Sequence, residues 1–142
     1  PVWADGTLPT EKLRGFVGNM LERMLGFDKP PWQVQLMLRE VLHPTDACRE
    51  LVEDYIRPHF SVLCKILDEL TDGKATPAEL RRIGLSIGGQ CFLYRAAGDV
   101  VGMLIPPNEI KEMHNSVDLA DHITAYCLAA LGKHAPLSVE AS

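Results

Sequence analysis

At 142 residues, with 46% apolar and 23% charged side chains, the chain has the size and composition of one globular domain with room for a sizeable core. Its net charge of −5, and the lack of any Lys/Arg cluster beyond Arg81-Arg82, argue against a nucleic-acid-binding face on these residues. No apolar run approaches the roughly 18 residues of a membrane span, and no signal-peptide pattern opens the chain, so a cytoplasmic protein without membrane contact is expected.

Residues 1–9, PVWADGTLP, read as an extended, loop-like segment. Leu13, Phe16, Val17, Met20, Leu21, Met24 and Leu25 then recur at three- and four-residue spacings, the stripe of an amphipathic helix opened by Pro9 or Thr10 and stopped by Gly26. Asp28 is placed to cap a second helix with Pro30 and Pro31 at its start. That helix, PWQVQLMLREVL, is apolar around much of its circumference and is expected to be largely buried. His43-Pro44 breaks the chain, and Thr45 or Asp46 caps a third helix that keeps its period toward Leu70. Pro58 sits inside it and should kink or split it, because its ring clashes with the preceding turn and it has no N–H to donate.

Thr71-Asp72-Gly73 ends that helix. Thr76-Pro77-Ala78-Glu79 carries the clearest local signal: an N-cap Thr, Pro at the first helical position and Glu as the capping-box partner. A fourth helix follows through Ile83, Ile87, Cys91 and Tyr94, with a break near Ala97–Asp99. Pro106-Pro107 ends the next stretch, and Glu109 to Met113 suggest a short helical turn. Ser116 is expected to cap a last helix with Val117, Ala120, Ile123, Thr124, Cys127 and Leu131 on one face, closed by Gly132. Residues 133–142 have no period and read as a flexible tail. No strand alternation is present, so the fold class is all-α.

Signals of catalysis are absent: no nucleophile elbow, Walker loop, H-E-x-x-H or paired carboxylates, and no cofactor motif. The four cysteines, Cys48, Cys64, Cys91 and Cys127, form no C-x-x-C pair and read as small buried thiols in a reducing compartment. His114, Asp118 and His122 stand four apart and could hold a metal on a continuous helix. Against this, Ser116 as a cap would leave His114 outside the helix, and Asp118 is favoured in a first turn anyway.

Polar residues embedded in apolar faces (Arg39, His59, Ser86, Gln90, Tyr94 and Arg95) need partners, which other side chains, a subunit or a ligand could supply. Met20, Met24, Met37 and Met103 would suit an adaptable pocket or a plain core. The stretch LSIGGQCFLYR, Leu85 to Arg95, places two adjacent glycines inside a helix, at roughly 1 kcal/mol each relative to Ala. Gly84 and Gly88 share a face, Gly89 extends it, and Leu85, Phe92 and Leu93 make a second side of the helix apolar. Such a helix is either central in its own protomer or packed on the same helix of a second copy; the subunit interface is the favoured reading.

The segments KLRGFVGNMLERML (Lys12 to Leu25), PWQVQLMLREVLHPT (Pro31 to Thr45), ELVEDYIRPHF (Glu50 to Phe60), LSIGGQCFLYR and DLADHITAYCLAAL (Asp118 to Leu131) resemble, in this order, the C-terminal regulatory domain of TetR-family transcription regulators of the CecR kind. R-P-H-F and S-I-x-G-Q-C-x-x-Y-R are their most specific elements. The resemblance implies an all-helical homodimer whose last two long helices form a four-helix interface, and a pocket for a small, hydrophobic or drug-like effector. It also implies operator DNA reached only through an N-terminal helix-turn-helix head, which no residues ahead of Pro9 supply. Residues 10–132 would be the effector-binding and dimerisation domain. Polarity and helix face select Met20, Met24, Trp32, Leu36, Arg39, His59, Leu63, Gln90 and Tyr94 as pocket residues. They select Leu85, Gly88, Gly89, Phe92, Ile123 and Cys127 for the dimer interface. A helical metalloprotein or enzyme using His114, Asp118 and His122, and a structural dimerisation module with a filled core, are the competing readings.

Overall fold

A computed structural model describes residues 3–25, 31–96, 98–113 and 115–133. Every regular element among them is helical: α1 (Pro9–Leu25), α2 (Pro31–Leu42), α3 (Asp46–Leu51), a π-helical turn (Val52–Ile56), α4 (Arg57–Leu70), α5 (Pro77–Ala96), α6 (Gly98–Leu104), α7 (Ile110–Met113) and α8 (Ser116–Ala130).

Four of these make the core. Helix α1 buries Leu13, Phe16, Val17 and Leu21, and α4 buries Leu63, Ile66, Leu67 and Leu70. Helix α5 contributes Leu80, Ile87 and Cys91, and α8 Leu119, Ala120, Ile123, Cys127 and Leu128. In each helix the buried set recurs every three or four residues, so one face turns inward. Full burial of a Leu or Ile side chain stabilises by about 1.5–3 kcal/mol, which makes this cluster the main source of stability. Helix α1 packs most extensively on α8, then on α4 and α5.

Polar side-chain pairs mark the ends of the bundle. Lys12 meets Glu69 at 2.7 Å and Lys133 meets Asp72 at 3.3 Å at one end. At the other, Arg23 Nη1 lies 3.5 Å from His59 Nε2. Helices α1 and α4 therefore run antiparallel. Such exposed pairs contribute at most about 1 kcal/mol each and set register more than stability. Arg14 is also paired with Asp121 across α1 and α8, and its guanidinium pKa is raised by that hydrogen bond.

Local signals account for the bundle's turns. Chain reversal after α4 uses Asp72 and Gly73 at φ 53° and 67°, with Gly73 N–H donating to the Asp68 carbonyl at 2.9 Å. The capping box forms: Thr76 N–H donates to Glu79 Oε2 at 2.8 Å and Glu79 N–H to Thr76 Oγ1 at 3.3 Å. Both helix-side donors are thereby satisfied, and the bonds from Thr76 hold the Glu79 carboxyl below its usual range. The cap of α8 is Asn115, not Ser116; its side chain accepts from Val117 N and Asp118 N. The break expected near Ala97–Asp99 centres on Ala97, which lies outside the described residues; Ala96 and Gly98 on either side of it are helical. Likewise Gly26, Asp28 and Pro30 lie outside them.

Trp3 folds back on the bundle, where its ring fills the space a Cβ would occupy on Gly15, 2.8 Å from the nearest ring carbon. At least this part of the extended N-terminal segment is docked rather than loose.

One expectation needs correction and one takes a more specific form. Helix α2 is not buried: none of its described residues is, and Trp32 and Leu36 are 61% and 51% exposed. Its apolar circumference meets no neighbouring element beyond isolated contacts. Pro58 does disturb the third helix, as expected of a residue without an N–H, but by a π turn between α3 and α4 rather than by a gap in helical backbone. Backbone from Asp46 to Leu70 stays helical, and the turn ahead of Pro58 widens instead. Arg57 N–H donates to the Val52 carbonyl, five residues back. Pro58 has no N–H to offer the carbonyl four residues back, and a π turn just ahead of it is a recognised way for a helix to accommodate such a disturbance.

Candidate functional site

The expected pocket residues fall into two groups. Met20, His59, Leu63, Gln90 and Tyr94 belong to the bundle. Leu63 is fully in the core, Met20 and Tyr94 are half-buried against it, and His59 is exposed. Trp32, Leu36 and Arg39 ride on α2, all three exposed. The side chain of Met24 lies outside the described residues. The two groups stand on different helices, and α2 has no extensive contact with the bundle helices. An open depression lies elsewhere, lined by Thr71, Lys74, Ala75, Glu79, Arg82 and Ile83 at the α4–α5 turn.

His59 has a defined hydrogen-bond geometry. Its Nδ1 lies 2.6 Å from the Tyr55 carbonyl, which can only accept, so Nδ1 carries the proton. Nε2 is then left with its lone pair toward Arg23. The ring thus ties the π turn to the end of α1. Gln90 is half-buried, and its amide donates to Cys127 Sγ at 3.7 Å, joining α5 to α8. Arg39 and Ser86, expected to need buried partners, are exposed, and Ser86 donates to the Arg82 carbonyl at 3.0 Å. The side chain of Arg95 lies outside the described residues.

The residues selected for a dimer interface also separate. Leu85 and Leu93 are 67% and 56% exposed and stand on the outer side of α5, with Gly89 between them at four-residue intervals. Phe92 and Gly88 are half-buried at the margin. Ile123 and Cys127 face inward instead and belong to the protomer's own core. The outer side of α8 carries Val117, Ala125, Tyr126 and Ala129, which the sequence reading did not select.

The glycines divide in the same way. A Cβ on Gly84 would lie 2.9 Å from Phe60 Cε2, so this glycine lets α4 and α5 cross closely inside the protomer. At Gly88 and Gly89 the same position meets nothing within 4 Å. Their space is open to the outside.

Burial holds the Cys91 thiol up at about 12, with Cys127 nearby adding to the effect. Burial raises Cys127 as well, partly offset by the bond from Gln90. Both are protonated, unreactive core groups. Cys48 and Cys64 are half-buried rather than buried, and all four thiols are free. Among the described residues no three of His, Cys, Asp and Glu gather as a metal site. Asp118 and His122 are exposed on α8, and His114 lies outside the described residues.

What the geometry defines is an all-helical bundle with an unfilled apolar outer face and a detached apolar helix, and no constellation suited to acid–base or nucleophilic chemistry among the described residues. The sequence matches, over residues 9–131, the family described as the C-terminal domain of the HTH-type transcriptional dual regulator CecR. The chain belongs to that family of TetR-type regulator domains. No curated protein and no solved structure matches it. No helix among the described residues is long and apolar enough to cross a membrane.

Proposed function

We propose that residues 10–132 are the effector-sensing and homodimerising domain of a TetR-like repressor. Two copies pair through the outer faces of α5 and α8, α1 leads to a DNA-reading head, and a small hydrophobic or drug-like molecule binds between the bundle and α2. A ligand that prefers the conformation with wrongly spaced heads draws the dimer off its operator, and its effect equals its differential affinity for the two forms. The work is done by packing and population shift, in a cytoplasmic protein that needs no metal or cofactor.

The single observation behind this reading is the open space over Gly88 and Gly89. Two glycines inside a 20-residue helix destabilise it by roughly 1 kcal/mol each. Gly84 is accounted for by Phe60 in its own protomer; Gly88 and Gly89 have no such neighbour. Leu85, Leu93 and Tyr126 are exposed around them, the composition of an interface core rather than of a solvated face. A second copy of the same helix, approaching backbone to backbone, accounts for both features.

Sedimentation equilibrium of the chain beside a Gly88→Leu variant tests it. The expected result is a dimer that the variant dissociates without loss of helicity. A chain that stays monomeric across micromolar concentrations would sink the proposal.

A further inference from the structure

Residues 3–8, ahead of α1, are more ordered than a plain connector needs to be. Thr7 turns the chain: its N–H and its Oγ1 both donate to the Ala4 carbonyl, at 3.2 and 2.8 Å. Gly6 supplies left-handed backbone inside that turn, at φ 85°. Leu8 N–H donates to Glu11 Oε2 at 3.3 Å and so ties the end of the segment to the first turn of α1. The turn sends Trp3 back along α1. There the half-buried indole packs against the core, with two ring carbons 2.8 and 2.9 Å from where a Gly15 Cβ would stand. A glycine inside a helix destabilises it relative to Ala. Trp3 is the neighbour that accounts for this one, as Phe60 accounts for Gly84. Around the notch α1 is itself held on two sides: Lys12 pairs with Glu69 of α4 at 2.7 Å, and Arg14 pairs with Asp121 of α8. Both ends of the segment are thus fixed to a helix that is fixed in turn.

We propose that residues 3–8 are a rigid joint, locked by the Trp3 indole in the Gly15 notch, that fixes the direction in which the chain enters α1. This rests on the repressor reading above, in which α1 leads to a DNA-reading head, and adds to it how the head keeps its orientation. A connector held only at Leu8 would behave as a flexible chain. Its span grows as about 5–6 Å times the square root of its length, so six free residues would wander over roughly 13 Å. Half-sites on one face of DNA repeat about every 34 Å, and play of that size at each of two heads would blur the spacing they must match. With the indole seated, a shift of α1 against α4 or α8 is passed to the chain ahead of it instead of being absorbed. The lock is also local. It consists of one aromatic side chain and the missing side chain opposite it, so filling the notch releases the joint without entering the four-helix core.

Spin labelling reads the joint. Asp5, exposed on the turn, is replaced by a nitroxide-labelled cysteine (Asp5→Cys) in a Cys48→Ser, Cys64→Ser background of the whole chain. Two further variants release the lock by opposite routes. Gly15→Leu fills the notch, with a side chain too large for the ring edge to slide past, and Trp3→Ala removes the plug. The expected continuous-wave spectrum of the parent is that of an ordered segment, and both variants sharpen it to the fast averaging of a free chain. Pulsed dipolar distances between the two labels of a dimer should broaden by roughly 10 Å in both. Equal mobility in all three chains overturns the joint. Sharper spectra with unchanged distances confine the effect to the label and overturn it too. If Gly15→Leu loses helicity by circular dichroism, Trp3→Ala alone decides. Sedimentation of the same samples separates this proposal from the one it rests on. A dimer whose label is equally free in parent and variants removes the joint alone. A monomer whose label is ordered, and freed by the variants, keeps the joint and removes the dimeric repressor reading.

Discussion

Helices α5 and α2 are both apolar around most of their circumference, yet one is the spine of the bundle and the other stands clear of it. Helix α5 buries Leu80, Gly84, Ile87 and Cys91 and leaves Leu85, Gly89 and Leu93 outside. Helix α2 buries none of its described residues. Hydrophobic pattern says that a face must be covered. It does not say whether the cover is the same fold, another copy or another conformation. Substitutions of one kind, made in both regions, turn this contrast into numbers.

The largest effect belongs to the inner side of α5. Ile87 is wholly buried between helices, and Ile87→Ala should destabilise the bundle by about 2–5 kcal/mol through lost burial plus the cavity left behind. Urea denaturation measures it, with unchanged slope as the sign that the loss is in stability rather than in cooperativity. A value below about 1 kcal/mol would mean that the four-helix core is not the unit that holds the fold.

Next come the glycines, where the same substitution should have opposite signs. At Gly84 a methyl group meets the Phe60 ring at 2.9 Å, and forcing the ring aside should cost about 1–3 kcal/mol, more than the roughly 1 kcal/mol gained in helix propensity. At Gly88 nothing in the protomer resists, so Gly88→Ala should stabilise the isolated chain by about 1 kcal/mol. The same methyl group should weaken dimerisation if a second copy fills that space. Denaturation at low concentration and sedimentation at high concentration read the two effects separately.

Thr124 offers a smaller test within the bundle. It is 3% exposed and its hydroxyl finds no partner. Thr124→Val keeps the shape and removes the unsatisfied group, so the variant should be neutral or more stable by up to about 1 kcal/mol. A clear loss of stability would reveal a hydrogen bond to this hydroxyl in solution.

How much of this could be read from the sequence depends on whether a signal was local. The Thr76–Glu79 capping box, the apolar stripes of α1 and α4 and the break at Gly73 depend on neighbours within one turn, and the structure has them all. The cap of α8 shifted by one residue because Asn115 and Ser116 are both good caps and only geometry separates them. The placement of α2 was missed because its pattern fits a buried helix as well as an uncovered one. At Pro58 the sequence required a disruption, a kink or a split, and the π turn that the structure has was not among the expected forms. The exposed apolar side of α5, with Leu85, Gly89 and Leu93, was legible from the doubly apolar helix. The inward turn of Ile123 and Cys127 was not, since α8 is apolar or small on both sides and its rotation is set by packing on α1. Tyr126 was overlooked for the same reason.

Thiol chemistry compares the regions at a finer scale. Cys91 sits in the core with its thiol held at about 12 against an ordinary 9.0, chiefly by burial. A raised folded-state pKa means the folded chain holds its proton more tightly than the unfolded one. The contribution is therefore complete below about pH 9 and is lost as pH rises toward about 12. Cys91→Ala should flatten the fall of stability over that window. Iodoacetamide at pH 8, followed by mass spectrometry, should label half-buried Cys48 on α3 well before Cys91, which becomes reactive only when the bundle opens.

The smallest expected effect is on α2 itself, and it is the one that ties the contrast to function. Leu36 is 51% exposed on a helix with no extensive contact to the bundle, so Leu36→Ala should change stability by no more than about 0.5 kcal/mol. If α2 were simply a surface helix, that would be the whole consequence. If an effector binds between it and the bundle, the same leucine is buried in the ligand-bound form, and truncating it removes apolar contact there alone. Binding of the uncharged dye prodan should then weaken by roughly tenfold, the equivalent of about 1.4 kcal/mol, while denaturation barely moves. A stability loss like that of Ile87→Ala would place α2 in the core after all. Unchanged dye affinity would mean that the pocket, wherever it forms, is built without α2.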